Sequence, residues 1–162
     1  IGEGTVFSVR ISGGTFNGLW NPADFITEDA SKRTNAISTD HSLAGTQILL
    51  AEDSIDIQAL VSLYLEDAGA EVDIANDGLE AVSKATAKDY DVILMDIQMP
   101  KLDGHEATTE LRKNGCKKPI IALTAHAFKE ERDRALSGGF NRYITKPIAR
   151  AALIDKVLEV TH

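Results

Sequence analysis

Charged and hydroxyl side chains follow short apolar runs at four places in the chain. They form an acidic pair at Glu52 and Asp53, a further carboxylate at Asp96, a hydroxyl at Thr124 and an ammonium at Lys146. Clustered carboxylates repel one another, which raises their pKa values unless a cation lies among them, and oxygen ligands of this kind favour Mg²⁺ or Mn²⁺. A metal, a lysine and a hydroxyl around one carboxylate are the groups that phosphoryl transfer requires. We therefore interpret Asp96 as a nucleophile that would form an acyl phosphate.

These side chains can meet only if the runs before them are neighbouring strands. The runs are short, rich in Ile, Val and Leu, and mostly apolar rather than alternating, which is typical of strands covered on both faces. They span residues 47–51, 71–75, 91–95, 119–123 and 142–145. Amphipathic patterns near 54–68, 78–87, 104–114, 127–137 and 148–160 predict a helix after each strand. The sequence predicts a flavodoxin-like α/β fold, a (βα)5 doubly wound parallel sheet.

The strand order decides which polar groups are neighbours. In the flavodoxin-like order 2-1-3-4-5, the first and third strands lie side by side at the switch point, where ligands bind beyond the strand ends. This order predicts that Glu52, Asp53 and Asp96 are adjacent. It predicts Thr124 and Lys146 on the far flank of the same edge.

The composition limits the classes of partner. The 162 residues, 43% hydrophobic and 26% charged, suit one well-filled domain. Seventeen basic residues against 25 acidic ones give a net charge of -8, so no nucleic acid partner is expected. The single cysteine, Cys116, excludes an internal disulfide and suits a reducing compartment, which predicts a cytoplasmic location. The apolar stretches are shorter than the ~20 residues of a membrane span, so any membrane attachment is expected upstream of this chain.

Residues 47 to 160 together resemble a receiver domain, the CheY-like domain of response regulators. The segments that carry the resemblance are 48–54, 91–104, 121–125 and 143–147, in this order and at the expected strand ends. The resemblance implies a two-component phosphorelay in which Asp96 takes a phosphoryl group from phosphohistidine. The chain would then be a phosphoacceptor that catalyses its own phosphorylation.

The resemblance also implies the metal ligands. Asp53 and Asp96 would ligate Mg²⁺ together with the backbone carbonyl of Gln98, and Glu52 would act through the metal's water shell. Many members of the family carry Asp at the position of Glu52, and the longer side chain reaches further.

Further roles follow from the resemblance at the other strand ends. Thr124 and Lys146 would bind the phosphoryl oxygens, and the peptide bond between Lys146 and Pro147 would be cis. Tyr143 would be the switch aromatic that rotates inward when Thr124 is drawn toward the phosphoryl group. The face formed by Tyr143's strand and the helix predicted near 127–137 would then change shape.

The N-terminal part divides into a strand at residues 1–11 and a polar linker at 12–45, before the receiver at 46–162. The segment at residues 2–7 resembles the end of the ATP-binding domain of histidine kinases, with one closing strand. We therefore expect a hybrid sensor histidine kinase as the parent protein, and no ATP binding by this chain. The expected partners are the histidine kinase core and a histidine phosphotransfer domain, with the receiver acting as a relay or internal regulator.

Three other functions fit part of the pattern. A haloacid dehalogenase-type phosphohydrolase needs a second Asp two residues after the nucleophile, where this chain has Gln98. A flavodoxin-like FMN module needs a phosphate loop after the first strand, where Glu52 and Asp53 would repel phosphate. An interaction-only pseudo-receiver would lack phosphorylation residues, which are all present here.

Overall fold

A computed structural model describes residues 42–125 and 136–161 of the chain. The predicted strand at 1–11 and most of the helix predicted near 127–137 lie outside these residues, although Leu136 and Ser137 are helical. The strands are β1 (Gln47–Ala51), β2 (Glu71–Ala75), β3 (Val92–Asp96), β4 (Ile120–Thr124) and β5 (Arg142–Thr145). The helices are α1 (Ile55–Asp67), α2 (Gly78–Ala87), α3 (Gly104–Lys113) and a last helix (Arg150–Thr161).

The five strands form one parallel sheet in the order β2-β1-β3-β4-β5, which confirms the predicted fold. β1 pairs with both β2 and β3, so Ala51 lies opposite Ala75 on one side and Met95 on the other. Asp96 pairs with Leu123 at the end of the ladder between β3 and β4. The carboxyl ends of β1 and β3 are therefore direct neighbours.

The core lies on both faces of the sheet because alternate residues of each strand point to opposite sides. In β1, Ile48 and Leu50 pack on the face covered by α1 and the last helix, whereas Leu49 and Ala51 pack on the face of α2 and α3. Every residue of β3 and β4 is buried. This two-sided burial explains why the strands read as continuous apolar runs.

Two strands end one residue later than the sequence pattern indicates. Asp96 and Thr124 are the last residues of β3 and β4 rather than the first residues after them. Ladder bonds continue past the apolar run, since the amide of Ile97 donates to the carbonyl of Leu123 at 3.0 Å. Both polar side chains are thus held by sheet backbone, which is more rigid than a loop.

The segment before β1 packs on the domain. Leu43 is fully buried in the core beneath α1, and its amide donates to the carbonyl of Ala68 at 3.0 Å. The last residues of the predicted linker therefore dock against the receiver. Across residues 42–125 and 136–161, no helix has the length and apolar character that crossing a membrane requires.

Candidate functional site

The acidic pair after β1 is held by backbone and side-chain hydrogen bonds. α1 begins at Ile55, so Glu52 and Asp53 occupy the short turn between strand and helix. The amide of Ser54 donates to Glu52 Oε1 at 3.2 Å, and Gln58 Nε2 donates to the Glu52 carbonyl at 2.6 Å. Glu52 is almost fully buried, whereas Asp53 is exposed. The turn therefore presents one carboxylate inward and one toward solvent.

Asp96 completes a cluster of three carboxylates. Oxygen atoms of Glu52, Asp53 and Asp96 all lie within 4.8 Å of one another, as their strand positions predicted. Among the residues that the structure describes, the three carboxylates of this cluster are paired with the Lys146 ammonium alone, which leaves a net charge of -2. An all-oxygen site with this excess charge suits a hard divalent cation such as Mg²⁺.

Lys146 reaches the middle of the cluster instead of staying on its flank. Its Nζ lies 2.7 Å from Glu52 Oε2 and 2.9 Å from Asp96 Oδ2. The prediction of a far-flank position was wrong for this side chain. Its backbone follows β5, but its long flexible stem extends past the neighbouring β4 to reach Asp96 at the end of β3 and Glu52 after β1. Only Thr124 remains on the flank, where its carbonyl accepts from the Lys146 amide at 2.7 Å.

Burial and charge shift the pKa values of this pair. Burial raises the pKa of Glu52 above its ordinary value, and the nearby Asp96 carboxylate adds to the rise, while the hydrogen bond from Lys146 opposes it. The pKa of Lys146 is also raised, because its hydrogen bonds to Glu52 and Asp96 outweigh the opposing effect of burial. The ammonium is therefore held in its charged form between the two acids.

The remaining predicted residues surround this centre. The Gln98 side chain is exposed. The backbone N–H of Gln98 donates to Asp96 Oδ1 at 3.3 Å, so its backbone lies directly beside the carboxylate. Thr124 is buried at the end of β4. Tyr143 is half-buried against the core on the α2 and α3 face. The peptide bond between Lys146 and Pro147 is cis, as the resemblance implied.

Close backbone packing fixes the loop that follows Asp96. The amide of Gly104 donates to the Ile97 carbonyl at 2.9 Å, which closes the loop between β3 and α3. A Cβ on Gly104 would lie 2.2 Å from the Asp96 carbonyl oxygen, far inside contact distance. Only glycine allows α3 to start this close to the end of β3.

Gln58 is a positioning residue that sequence reasoning missed. It is buried in α1, and besides the Glu52 carbonyl its Nε2 contacts Asn76 Oδ1 at 3.0 Å. It thereby joins the turn after β1 to the turn after β2. The available signal was a polar side chain at a helix position that faces the core.

The structure is a doubly wound α/β domain with three clustered carboxylates at the carboxyl ends of its strands, and comparisons with known proteins identify its family. Residues 48–158 match the family described as the response regulator receiver domain. The chain is 39% identical over 120 residues to the sensor protein GacS of Pseudomonas syringae pv. syringae, an alignment that covers 71% of this chain and 13% of that protein. The chain therefore belongs to the response regulator receiver domain family.

Two solved structures agree with this assignment. The receiver domain of the sensor histidine kinase PA1611 from Pseudomonas aeruginosa, with magnesium in its active site cleft, is 42% identical. Its TM-score is 0.68, with 73% of this chain and 98% of that chain covered. The Saccharomyces cerevisiae receiver of Ssk1, solved with the phosphotransfer protein Ypd1, gives a TM-score of 0.69 at 31% identity, covering 73% and 90%.

The family establishes the general function. This chain is a receiver domain of two-component phosphorelay signalling, similar to the receivers of hybrid histidine kinases. The chain spans only a small part of the curated relatives that it matches: 13% of the probable histidine kinase 2 of Oryza sativa subsp. indica and 7% of the hybrid signal transduction histidine kinase I of Dictyostelium discoideum.

Proposed function

We propose that Asp96 accepts a phosphoryl group from a phosphohistidine, with Mg²⁺ held by Asp53, Asp96 and the carbonyl of Gln98. Glu52 would act on the metal through its water shell. The observation that carries this proposal is the convergence of three carboxylates with Lys146, whose Nζ is 2.9 Å from Asp96 Oδ2. The receiver of PA1611, which contains magnesium, provides a related example.

The chemistry at Asp96 is a direct displacement. A carboxylate oxygen of Asp96 attacks phosphorus, the phosphorus–nitrogen bond to the donor histidine breaks, and its electron pair leaves with the imidazole. Lys146 and the Thr124 hydroxyl would bind oxygens of the transferred group, which adds negative charge at the site. Bound Mg²⁺ would neutralise charge on the phosphoryl oxygens and help to align them.

The surface beside the site supports a protein as the phosphoryl donor. On α1, Ile55 is 77% exposed and Leu63 is 62% exposed. Leu60 is 40% exposed and lines a groove with Pro147 and Lys146. Exposed apolar side chains in a patch are typical of protein contact surfaces. We propose a histidine phosphotransfer domain as the partner at this patch and a hybrid kinase core as the source of its phosphoryl group, in the cytoplasm. The complex of Ypd1 with the Ssk1 receiver shows such a pairing in a relative.

Chemical phosphorylation tests the site without any partner. Incubation with acetyl phosphate and Mg²⁺ should add the mass of one phosphoryl group to the wild type and not to Asp96→Asn. Asp89→Asn is the matched control, since it neutralises a carboxylate whose side chain is 84% exposed. Equal labelling of wild type and Asp96→Asn would overturn the assignment of the acceptor.

A protein donor tests the surface. With phosphorylated Ypd1 as donor, Ile55→Ser and Leu63→Ser should slow phosphoryl transfer while leaving labelling by acetyl phosphate unchanged. Leu79→Ser is the control, because it removes a 52% exposed leucine from α2. If all three variants transfer at the same rate, the patch on α1 does not contact the donor.

A further inference from the structure

The loop between β3 and α3 contains a lysine in an unfavourable backbone conformation. Lys101 has φ of 66°, the only positive φ among the non-glycine residues that the structure describes. This left-handed region is occupied readily by Gly and at a cost by residues with a Cβ. A long cationic side chain at this position therefore needs a compensating contact.

The contact is an ion pair with the start of α2. Lys101 Nζ donates to Asp77 Oδ2, and the Asp77 side chain is only 7% exposed. The other carboxylate oxygen of Asp77 accepts from the Glu80 amide at 2.8 Å and so caps α2. One carboxylate thus joins the N-terminus of α2 to the loop after the phosphoacceptor strand.

The backbones make the same junction. A Cβ on Gly78 would lie 2.2 Å from the Leu102 carbonyl oxygen, so the first turn of α2 lies directly against the loop. Backbone hydrogen bonds hold the two ends of the loop. The Ile97 amide donates to the Leu123 carbonyl, and the Gly104 amide donates to the Ile97 carbonyl. The stretch between these ends, which includes Gln98, is held against α2 by Lys101 and Leu102.

We propose that Lys101, through Asp77, is a positioning residue that holds the carbonyl of Gln98 in place for Mg²⁺. This inference rests on the metal site proposed above and extends it to two residues that do not touch the metal. Removing a residue that holds a metal ligand in place without touching the metal commonly lowers metal affinity by about ten- to a hundredfold. Since the Lys101 side chain is 64% exposed, solvent screens its ion pair, and its removal should cost less stability than removal of Lys146, which is 19% exposed.

Mg²⁺ titration followed by NMR, using the amide signals of residues 52–54 and 96–98, tests the proposal. Lys101→Met should raise the Kd for Mg²⁺ about tenfold, and so should Asp77→Ser, which keeps a capping hydroxyl for α2. Lys101→Arg, which preserves the ion pair, should restore binding to near the wild-type value. Lys156→Met, on the last helix, controls for the loss of one positive charge.

The directions in which the Kd for Mg²⁺ changes distinguish a positioning role of Lys101 from a direct electrostatic effect on the metal. If only electrostatics mattered, Lys101→Met would strengthen Mg²⁺ binding, because it removes a cation, whereas Asp77→Ser would weaken it. Opposite changes would therefore overturn the proposal, as would unchanged Kd values. A metal-free free energy of unfolding that falls in Lys101→Met by about 1.4 kcal/mol or more, the equivalent of the tenfold change in Kd, would indicate a purely structural role and would also overturn it.

Measurements on the wild type show whether the proposed role of Lys101 is wrong or the proposed metal site is wrong. If wild-type signals at 52–54 and 96–98 do not respond to Mg²⁺, the proposed metal site is wrong. If the wild type responds and is labelled at Asp96 while every variant matches it, only the role of Lys101 is wrong.

Discussion

Lys146 bridges two buried carboxylates, with its Nζ 2.7 Å from Glu52 Oε2 and 2.9 Å from Asp96 Oδ2. The lysine is thus the counter-ion of the site before any metal or phosphoryl group binds. Each of these acids would lose its closest cation if the lysine were removed.

Replacing this lysine should destabilise the metal-free domain. Lys146→Met is expected to lower the free energy of unfolding by about 3 kcal/mol at neutral pH, since it leaves two buried carboxylates unpaired. The double variant Lys146→Met/Glu52→Gln should recover part of this loss, because one of the two charges is removed. Urea unfolding in EDTA measures both. Lys156→Met, at a surface ion pair, is the control, and an equal loss there would contradict the prediction.

Mg²⁺ should stabilise the wild type by mass action. At a Mg²⁺ concentration ten times its Kd, the free energy of unfolding should rise by about 1.4 kcal/mol. Asp53→Asn should remove most of this gain because it deletes a proposed ligand at the exposed side of the cluster. Urea unfolding with and without Mg²⁺ provides the comparison, with Asp89→Asn as the control. A gain in Asp53→Asn as large as in the wild type would exclude Asp53 as a ligand.

The glycine that starts α3 should not tolerate a side chain. Gly104→Ala would place a Cβ 2.2 Å from the Asp96 carbonyl oxygen, and backbone must move to accept it. We expect a loss of about 3 kcal/mol in the free energy of unfolding and slower labelling by acetyl phosphate. Gly115→Ala is the matched control, because its φ of 84° is strained for alanine but no atom lies within 4 Å. The two variants should therefore differ in labelling, and identical labelling rates would refute the steric argument.

Glu80 should give the domain an acid-sensitive component of stability. The hydrogen bond from Lys84, with others from the backbone and side chain of Asn76, lowers the pKa of Glu80 to about 2. Its folded pKa is below the ordinary 4.5, so the stability that it adds is present above that value and is lost as the pH falls toward 2. Since Glu80 is about a third exposed, Glu80→Gln should cost about 1 kcal/mol at neutral pH.

The test is the difference between wild-type and Glu80→Gln stability as a function of pH. This difference should shrink through acid pH and nearly vanish at about pH 2. Glu66→Gln, at an exposed position of α1, provides the control. A difference that stays constant down to the lowest pH would show that the amide, rather than the charge, is responsible.

Tyr143 should respond to modification of Asp96. Drawing the Thr124 hydroxyl toward the phosphoryl group would vacate space into which the half-buried ring can rotate. Beryllofluoride, a phosphoryl mimic, should therefore shift the ring signals of Tyr143 and the amide signals of β5, with Tyr64 on α1 as a reference ring. Thr124→Ala should uncouple these shifts from the occupancy of Asp96. Unchanged Tyr143 signals in the fully modified wild type would mean that signalling uses another surface.

The parallel sheet and the grouping of the three carboxylates could be predicted from the spacing of apolar runs along the sequence. Runs such as 47–51 are apolar on both faces because helices cover both sides of the sheet, so their number and spacing predicted the parallel fold. The adjacency of Glu52, Asp53 and Asp96 followed from the strand order alone, since parallel strands end at one edge. The helix near 127–137 lies mostly outside the described residues and stays a prediction.

The contacts within the site were decided by the tertiary structure. Lys146 and Glu52 are 94 positions apart, and nothing in either local sequence indicates that their side chains form an ion pair. The junctions of Lys101 with Asp77 and of Gln58 with the Glu52 carbonyl likewise join different loops and helices. Sequence by itself determined which polar groups stand at the strand ends, because burial dictates where apolar runs stop. Which of those groups touch depends on the lengths of side chains and on the close packing of helices against loops, and this is set only when the whole sheet is assembled.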